Sequence, residues 1–184
     1  MQPQTRDPIV VSDISASAPQ EHVNPDTLID APYLRAVADF ADQYGAARFT
    51  PGGGVLFDKP LSKAERLSLP APSHQRPRWL DLPQDRFAAH LARDAAFRAF
   101  VDSFTIAHAQ AGYRLVGIPL HATLTAAQLR VIADCAETFG HGNLRLTADV
   151  SIRLTNVPTA LLRPLFEALR LAGLSGAAHL KLAA

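Results

Sequence analysis

Apolar residues recur at three- and four-residue spacing between Thr125 and Gly140, a pattern that predicts an amphipathic helix. The apolar face consists of Leu129, Ile132, Ala133, Ala136 and Phe139. Thr125 is a suitable N-cap, and Gln128 stands three residues later, where a capping box places it. We expect Gly140 to end the helix, because glycine adopts the left-handed C′ conformation at little steric cost.

Alternating apolar positions flank this helix on both sides. The run Tyr113–Leu120 predicts a strand before the helix. Two short strands are predicted after it, and their inward positions are Leu144, Leu146, Ile152 and Leu154. A last helix is expected over Pro158–Leu171, followed by an edge strand over Ala178–Leu182.

The helical pattern occurs a second time, earlier in the chain. Residues Leu34–Thr50 align with Leu129–Thr147 if the second copy carries two extra residues around its His-Gly pair. Asp30 stands where Thr125 stands, so both copies have an N-cap residue. The match continues past the helix into Arg-x-Thr. It predicts two similar units packed together, the alternative being chance similarity between two alanine-rich helices.

The remaining segments connect these two copies. A short strand is expected over Pro8–Ser12. The proline-rich stretch from Pro60 to Pro83 is predicted to be a connector with little regular structure, apart from a turn at Lys63–Leu67. Helices are expected over Asp85–Leu91 and Asp94–Gln110. The chain therefore divides into an N-terminal half (1–60), a linker with a helical insert (61–110) and a C-terminal half (111–184).

Composition excludes several classes of function. The 184 residues carry a net charge of +1, which gives no electrostatic case for nucleic acid or an acidic membrane surface. The single Cys135 excludes an intrachain disulfide and a self-contained four-cysteine iron–sulfur cluster. We expect Cys135 to face the helix interior and to be unreactive. With no apolar run that could span a bilayer and no leader pattern, a cytoplasmic protein is expected.

One candidate partner surface lies around the connector. The triplet Gly52, Gly53 and Gly54 would let another backbone approach closely, and it lacks the Lys-Ser/Thr of a phosphate loop. Arg76, Arg78 and Trp79 stand at the end of the connector. Such a tryptophan either anchors a partner or, more commonly, plugs the core where a linker meets a domain.

Several motifs together resemble a known family, the ferredoxin-like half domain of nitrite and sulfite reductases, a module shared with precorrin-3B synthase. They are Gly112-Tyr-Arg-Leu-Val-Gly-Ile-Pro-Leu120, Leu124-Thr-x-x-Gln-Leu129, Phe139-Gly-His-Gly-Asn-Leu-Arg-Leu-Thr147 and Ile152-x-Leu-x-Asn-Val157. The resemblance implies paired half domains related by a pseudo-twofold axis, which help to form a siroheme and anion pocket. In those enzymes, separate cysteine-bearing domains hold an iron–sulfur cluster and ligate the siroheme.

The chain departs from the family where the chemistry would lie. Asp149 stands at the family's arginine position and would repel the anion that an arginine grips. Ser151 and Arg153 replace the family's asparagine and glutamine. The cluster-binding cysteines are absent from the sequence.

The candidate cofactor-binding residues are Arg48, Arg145, Arg153 and His141. Arg48 and Arg145 occupy equivalent places in the two copies and could line one anion site, although arginines on the solvent face of a strand are commoner. His141 and His121 lie in a glycine turn and at a strand end, where either a ligand role or an ordinary loop role fits. No catalytic or metal-binding set is recognised.

We therefore expect an α+β fold of two ferredoxin-like halves with a shared sheet and a helical connector. The favoured function is a non-catalytic accessory or docking protein of an iron–sulfur or siroheme redox system, with no cofactor bound by this chain alone. Its partner would be a small redox protein, a rubredoxin or a reductase subunit, in a possible hetero-oligomer. The alternatives are a siroheme- or tetrapyrrole-binding subunit that completes an active site with another chain, and a module that binds a small anion.

Overall fold

The computed structural model describes residues 28–50, 55–70, 79–80, 82, 85–120, 123–147 and 151–175. In chain order the elements are β1 (Leu28–Asp30), α1 (Ala31–Tyr44), β2 (Arg48–Phe49), β3 (Val55–Leu56), α2 (Lys63–Leu67), α3 (Asp85–Arg93), α4 (Ala95–Phe104), β4 (Thr105–Ala107), β5 (Tyr113–Pro119), α5 (Ala126–Gly140), β6 (Asn143–Leu146), β7 (Ser151–Pro158), a 3₁₀ turn (Thr159–Leu161) and α6 (Leu162–Leu171). The predicted α+β class is confirmed.

Five strands form one antiparallel sheet in the order β1-β6-β7-β5-β4, and β2 and β3 form a separate antiparallel pair. In the large sheet Leu144 lies opposite Leu154, and Leu146 lies opposite Ile152. Val116 and Ile118 of β5 face the same two β7 residues from the other side. Because side chains alternate along a strand, these six residues share one face of the sheet.

That face carries the core. The helices contribute fully buried side chains to it, among them Leu34, Val37, Phe97, Leu129, Ile132, Leu162, Leu165 and Leu169. The helical layer therefore covers one side of the sheet, as the amphipathic patterns of α1 and α5 require. From the sequence, a first helix is expected over about residues 31–44, and α1 has these bounds; its N-cap Asp30 accepts a hydrogen bond from the Tyr33 backbone N–H at 2.9 Å.

Helices α1 and α5 make reciprocal ion pairs. Arg35 of α1 donates to Asp134 at 2.8 Å and to Glu137 at 2.5 and 2.7 Å. The aligned residue in the second copy, Arg130, donates to Asp39 at 2.8 Å and to Asp42 at 2.6 Å. Under the sequence alignment each acceptor in one helix is the equivalent of an acceptor in the other. Contacts in which i meets j and j meets i are the mark of a twofold relation.

The backbone repeats this reciprocity. Ile29, just before the N-cap of α1, pairs with Leu144 of β6. Leu124, just before the N-cap of α5, pairs with Ala47, just before β2, with N–O distances of 2.7 and 2.9 Å. In each copy, the residue just before the N-cap of the helix therefore pairs with the segment that follows the helix of the other copy. The repeat is therefore visible in the strands as well as in the helices.

Two expectations about the strands are corrected. The two halves do not contribute their strands equally to one sheet, because β2 and β3 pair with each other and β1 alone joins the large sheet. The helix expected over Asp94–Gln110 ends at Phe104, and β4 follows at once along β5. Its terminal Thr105 caps the helix by donating its hydroxyl to the Val101 carbonyl at 2.7 Å.

Helix α5 ends at Gly140 as predicted, but Gly140 does not adopt the expected left-handed conformation. It is the last helical residue, and His141 takes the left-handed cap conformation with φ 58°. A Cβ at Gly140 would lie 3.3 Å from the Thr155 carbonyl, so this glycine lets the helix pack closely on β7. Its equivalent in the first copy, Gly45, does follow its helix and has φ 93°.

Other expectations met different outcomes. The turn at Lys63–Leu67 is a short helix whose N-cap Ser62 forms a capping box with Glu65. The last helix begins at Leu162, after a 3₁₀ turn, instead of at Pro158. The strands expected over residues 8–12 and 178–182 lie outside the described residues.

Candidate functional site

The face of the large sheet opposite the helical layer is the candidate site, and we call it the outer face. Its side chains are those at the alternate strand positions that do not enter the core. They are Ile106 of β4, Leu115, Gly117 and Pro119 of β5, Arg145 of β6, and Ser151, Arg153 and Thr155 of β7. Ile106 is 55% exposed, and Arg145 is also exposed. Polar and apolar positions thus lie side by side on this face.

Two of the predicted cofactor-binding residues face each other here. Arg145 lies directly opposite Arg153 in the antiparallel pair of β6 and β7. Directly opposed residues have Cβ atoms about 5 Å apart, and like charges at that spacing destabilise a sheet. A bound anion would remove this repulsion and accept hydrogen bonds from both guanidinium groups. The geometry favours a carboxylate or a similar anion between them.

A groove of about 240 Å³ borders this arginine pair. Its lining residues are Ser103, Phe104, Thr105, Ile106, Leu115, Gly117, Pro119, Ser151 and Arg153. Gly117 lies opposite Arg153 in the β5–β7 register, and its missing side chain leaves the floor of the groove open. The groove is therefore apolar along β4 and β5 and cationic along β7.

Local hydrogen bonds hold the β7 end of the groove. Thr147 donates its hydroxyl to the Ser151 carbonyl at 3.0 Å, and the two hydroxyl oxygens lie 2.6 Å apart. Further along β7, Asn156 has φ 62° where the β5–β7 register shifts. Asparagine tolerates this conformation better than most residues, and bulges of this kind often lie beside functional sites. The backbone of β7 is therefore held by hydrogen bonds at Ser151 and is irregular at Asn156, on either side of Arg153.

Taken together, four of the five strands of the large sheet carry only positive charge, and the fifth, β1, contributes Asp30, which is buried as the N-cap of α1. Strands β4 to β7 contain Arg114, Arg145 and Arg153 and no acidic residue. Arg114 is engaged at the sheet margin, where its Nε donates to the Thr105 hydroxyl at 2.6 Å. The outer face is therefore cationic at Arg145 and Arg153, a distribution that attracts anionic ligands.

The other predicted cofactor residues lie elsewhere. Arg48 is exposed on β2 opposite Leu56, in a different sheet from Arg145, so β-pairing does not bring these two equivalent arginines together. The Nε2 atom of His141 is buried and has no hydrogen-bond partner among the described residues. In the same part of the chain, no group of three His, Cys, Asp or Glu residues could hold a metal ion.

Trp79 is half-buried where the connector meets the sheet. It is 49% exposed, and its ring packs edge-on against Tyr113 with 4.9 Å between centroids. The Tyr113 hydroxyl also binds the backbone of Leu80, donating to its carbonyl at 3.0 Å and accepting from its N–H. The end of the connector is thus fixed against the first residue of β5. Gly52, Gly53, Gly54, Arg76, Arg78, His121 and Asp149 lie outside the described residues.

Cys135 is buried, with 3% of its surface exposed, as expected. Burial raises the pKa of its thiol to about 11, which keeps the thiolate form scarce near neutral pH. The thiol therefore belongs to the core and not to the outer face.

The fold and the outer face agree with a comparison to known families. Residues 106–172 match the nitrite/sulfite reductase ferredoxin-like half domain. The matched stretch begins within β4 and ends just after α6, so it contains the arginine pair and most of the groove lining, but not Ser103, Phe104 and Thr105. The match confirms the resemblance inferred from the sequence motifs. No curated protein matches the chain. Within the described residues, no helix is long and apolar enough to cross a membrane.

The groove itself was not foreseen from the sequence. Its signal is Gly117, a glycine in the interior of an otherwise apolar strand, which often marks a close approach of another molecule. The register that places Arg153 beside Gly117 comes from long-range strand pairing. The apolar periodicity of a single segment does not predict which residues of two distant strands face each other.

Proposed function

We propose that this chain is a non-catalytic docking protein of a redox system, and that its outer face binds an anionic partner. The observation that carries the proposal is the opposed pair Arg145 and Arg153 on a sheet face that holds no core residue. The half-domain match supports a link to siroheme or iron–sulfur redox proteins. The link to such a system is partly an analogy at the level of the fold.

The size of the groove favours docking over the enclosure of a cofactor. Pockets that bury a drug-sized ligand measure about 300–1,000 Å³, and this groove measures about 240 Å³. A tetrapyrrole is larger than such a ligand. The groove would therefore contact only one edge of the ring, and another chain would have to cover the rest.

The docking proposal is tested by charge reversal on the outer face. Arg145→Glu/Arg153→Glu changes the charge by four units at the proposed site. Arg86→Glu/Arg93→Glu makes the same change at two exposed arginines of α3, in the helical layer, and serves as the matched control. Tagged proteins would be used to recover partners from extract of the native host. Mass spectrometry and iron analysis would then identify the recovered protein.

We expect the wild type and the α3 control to recover the same cofactor-bearing protein. The Arg145→Glu/Arg153→Glu variant should recover at least about tenfold less, since reversing both charges converts attraction into repulsion. Equal recovery by all three folded proteins would reject the outer face as the docking surface.

The second candidate is a subunit that binds siroheme or a related tetrapyrrole and completes an active site with another chain. The apolar groove bordered by two arginines favours it, because such rings carry carboxylates on an apolar plane. Arg145 and Arg153 would hold the carboxylates, and the described residues offer no set of ligands for the metal. When bound, the siroheme would supply the redox chemistry.

Absorption spectra distinguish the two candidates. Under the docking proposal, protein purified from its native host is colourless and contains no stoichiometric iron. A Soret band that survives gel filtration, and that is lost in Arg145→Glu/Arg153→Glu, would replace the docking proposal with the tetrapyrrole one.

A further inference from the structure

The shape of the outer-face groove limits what can occupy it. Along β5 it extends from Leu115 to Pro119, four residue steps or about 13 Å. Its volume of about 240 Å³ is small beside an α-helix, which with its side chains is about 10 Å across. A single extended segment is therefore the occupant that suits this groove best.

The lining gives the chemistry of that segment. Ile106, Leu115 and Pro119 provide apolar walls around the open position at Gly117. Ser151 and Arg153 close the β7 side, and Arg145 stands opposite Arg153 on the next strand. One apolar side chain above Gly117, followed by carboxylates at the arginines, would complement this surface in both shape and charge.

We propose that the groove receives an extended acidic segment of the protein partner, with one apolar side chain seated over Gly117 and its carboxylates on Arg153 and Arg145. This inference rests on the proposed docking function and specifies the part of the partner that is recognised. The occupant is a protein segment, since a groove of this width holds a single chain and only the edge of a tetrapyrrole.

Gly117→Val is the central test, because it fills the groove without changing charge. A Cβ at Gly117 would meet only the Phe104 carbonyl oxygen at 3.7 Å, an ordinary contact, and Gly117 has no positive φ. Valine is also well suited to a strand. The variant should therefore fold, and circular dichroism and the urea midpoint would verify this.

The probe is a fluorescently labelled, blocked peptide of sequence Ser-Ile-Asp-Glu-Ser, followed by anisotropy at low salt. Two matched peptides replace Ile with Ser, or both acidic residues with Lys. We expect wild-type protein to bind the first peptide and to bind each matched peptide at least about tenfold more weakly, a difference of about 1.4 kcal/mol. Gly117→Val and Arg153→Gln should each weaken binding of the first peptide by a similar factor. Arg93→Gln on α3 should leave it unchanged.

The outcomes separate this inference from the docking function. If folded Gly117→Val binds the peptide and the host partner as the wild type does, while Arg145→Glu/Arg153→Glu loses the partner, docking stands and the groove segment is rejected. If Gly117→Val loses the peptide while Arg145→Glu/Arg153→Glu retains the partner, the groove still binds an extended acidic segment, but the docking function falls and that segment does not come from this partner. No binding of the first peptide by wild type would overturn the inference. So would displacement of that peptide by uroporphyrin binding more tightly than any peptide, since the occupant would then be a tetrapyrrole.

Discussion

The two copies of the repeat share their helices and differ in their strands. In the second copy, β6 and β7 lie in the large sheet and place Arg145 opposite Arg153. In the first copy, β2 and β3 form a separate pair and place Arg48 opposite Leu56. The positions where the copies touch each other have equivalent partners, whereas the equivalent strand residues Arg48 and Arg145 face different residues. The contacts that occur in both copies therefore define the twofold architecture. The strands that differ between the copies indicate the candidate binding site, which lies in the second copy.

The largest expected effects come from equivalent core positions. Leu34 and Leu129 are both fully buried, one on each helix of the repeat. Leu34→Ala and Leu129→Ala should each lower the free energy of unfolding by about 2–5 kcal/mol, because each removes buried methyl groups and leaves a cavity. Urea denaturation measures both changes. A cost below about 1 kcal/mol at one position alone would show that the two helices are not packed equivalently.

The equivalent glycines should behave differently. Gly45→Ala places a Cβ against the Asp58 side chain, closer than non-bonded atoms approach. It should cost about 1–3 kcal/mol, because φ 93° with ψ 178° is a backbone conformation that almost only glycine adopts, and it disturbs the hydrogen bond from the Ala46 N–H to Asp58. Gly140→Ala should stabilise the helix by about 1 kcal/mol through its higher helix propensity. The new Cβ would lie 3.3 Å from the Thr155 carbonyl oxygen, and this tight contact opposes the gain. Its net change should lie within about 1 kcal/mol of zero. Thermal or urea unfolding measures both, and equal losses would contradict the difference in backbone conformation.

The reciprocal ion pairs should have small and equal effects. The side chains of Arg35 and Arg130 are 38% and 40% exposed, so solvent screens both. Arg35→Ala and Arg130→Ala should each lower the free energy of unfolding only slightly, and less at high salt. The comparison is made by urea denaturation at two salt concentrations. A clear loss in one variant and none in the other would break the symmetry.

The smallest effect concerns pH. Hydrogen bonds from Arg35 lower the pKa of Glu137 below its ordinary value of 4.5. A carboxyl group with a lowered folded-state pKa stabilises the fold above its unfolded pKa, and this contribution is lost as the pH falls through the folded value. Glu137→Gln should therefore be slightly less stable than the wild type at neutral pH, and the difference should vanish only in acid below the lowered folded-state pKa of Glu137. A difference that is constant with pH would exclude this linkage.

Local features of the fold were predictable from the sequence, and long-range ones were not. The bounds of α1, the caps Asp30 and Thr125, and the inward positions of β6 and β7 follow from periodicity and capping chemistry. Strands β1 and β4 have three residues each, too few to show a period of two, and they exist through pairing with β6 and β5. Strands β2 and β3 lie only a few residues apart and follow from the local sequence, whereas their separation from the large sheet is a tertiary outcome.

The candidate site divides in the same way. Arg145 and Arg153 could be nominated from their places in the family motif, as could Trp79 from its residue type. That the two arginines face each other, and that Gly117 opens a groove beside them, depends on the β5–β7–β6 register. Register is set by pairing between distant segments, so no single segment contained it.

The buried thiol of Cys135 can report how often the fold opens around α5. It is the chain's single cysteine, it is nearly inaccessible, and burial raises the pKa of its thiol to about 11. A thiol-specific reagent can therefore react only when α5 moves away from the core. Its reaction rate would measure that opening under native conditions, without denaturant and without an introduced label. The same rate of thiol modification can be measured in every variant described above, because each of them retains Cys135.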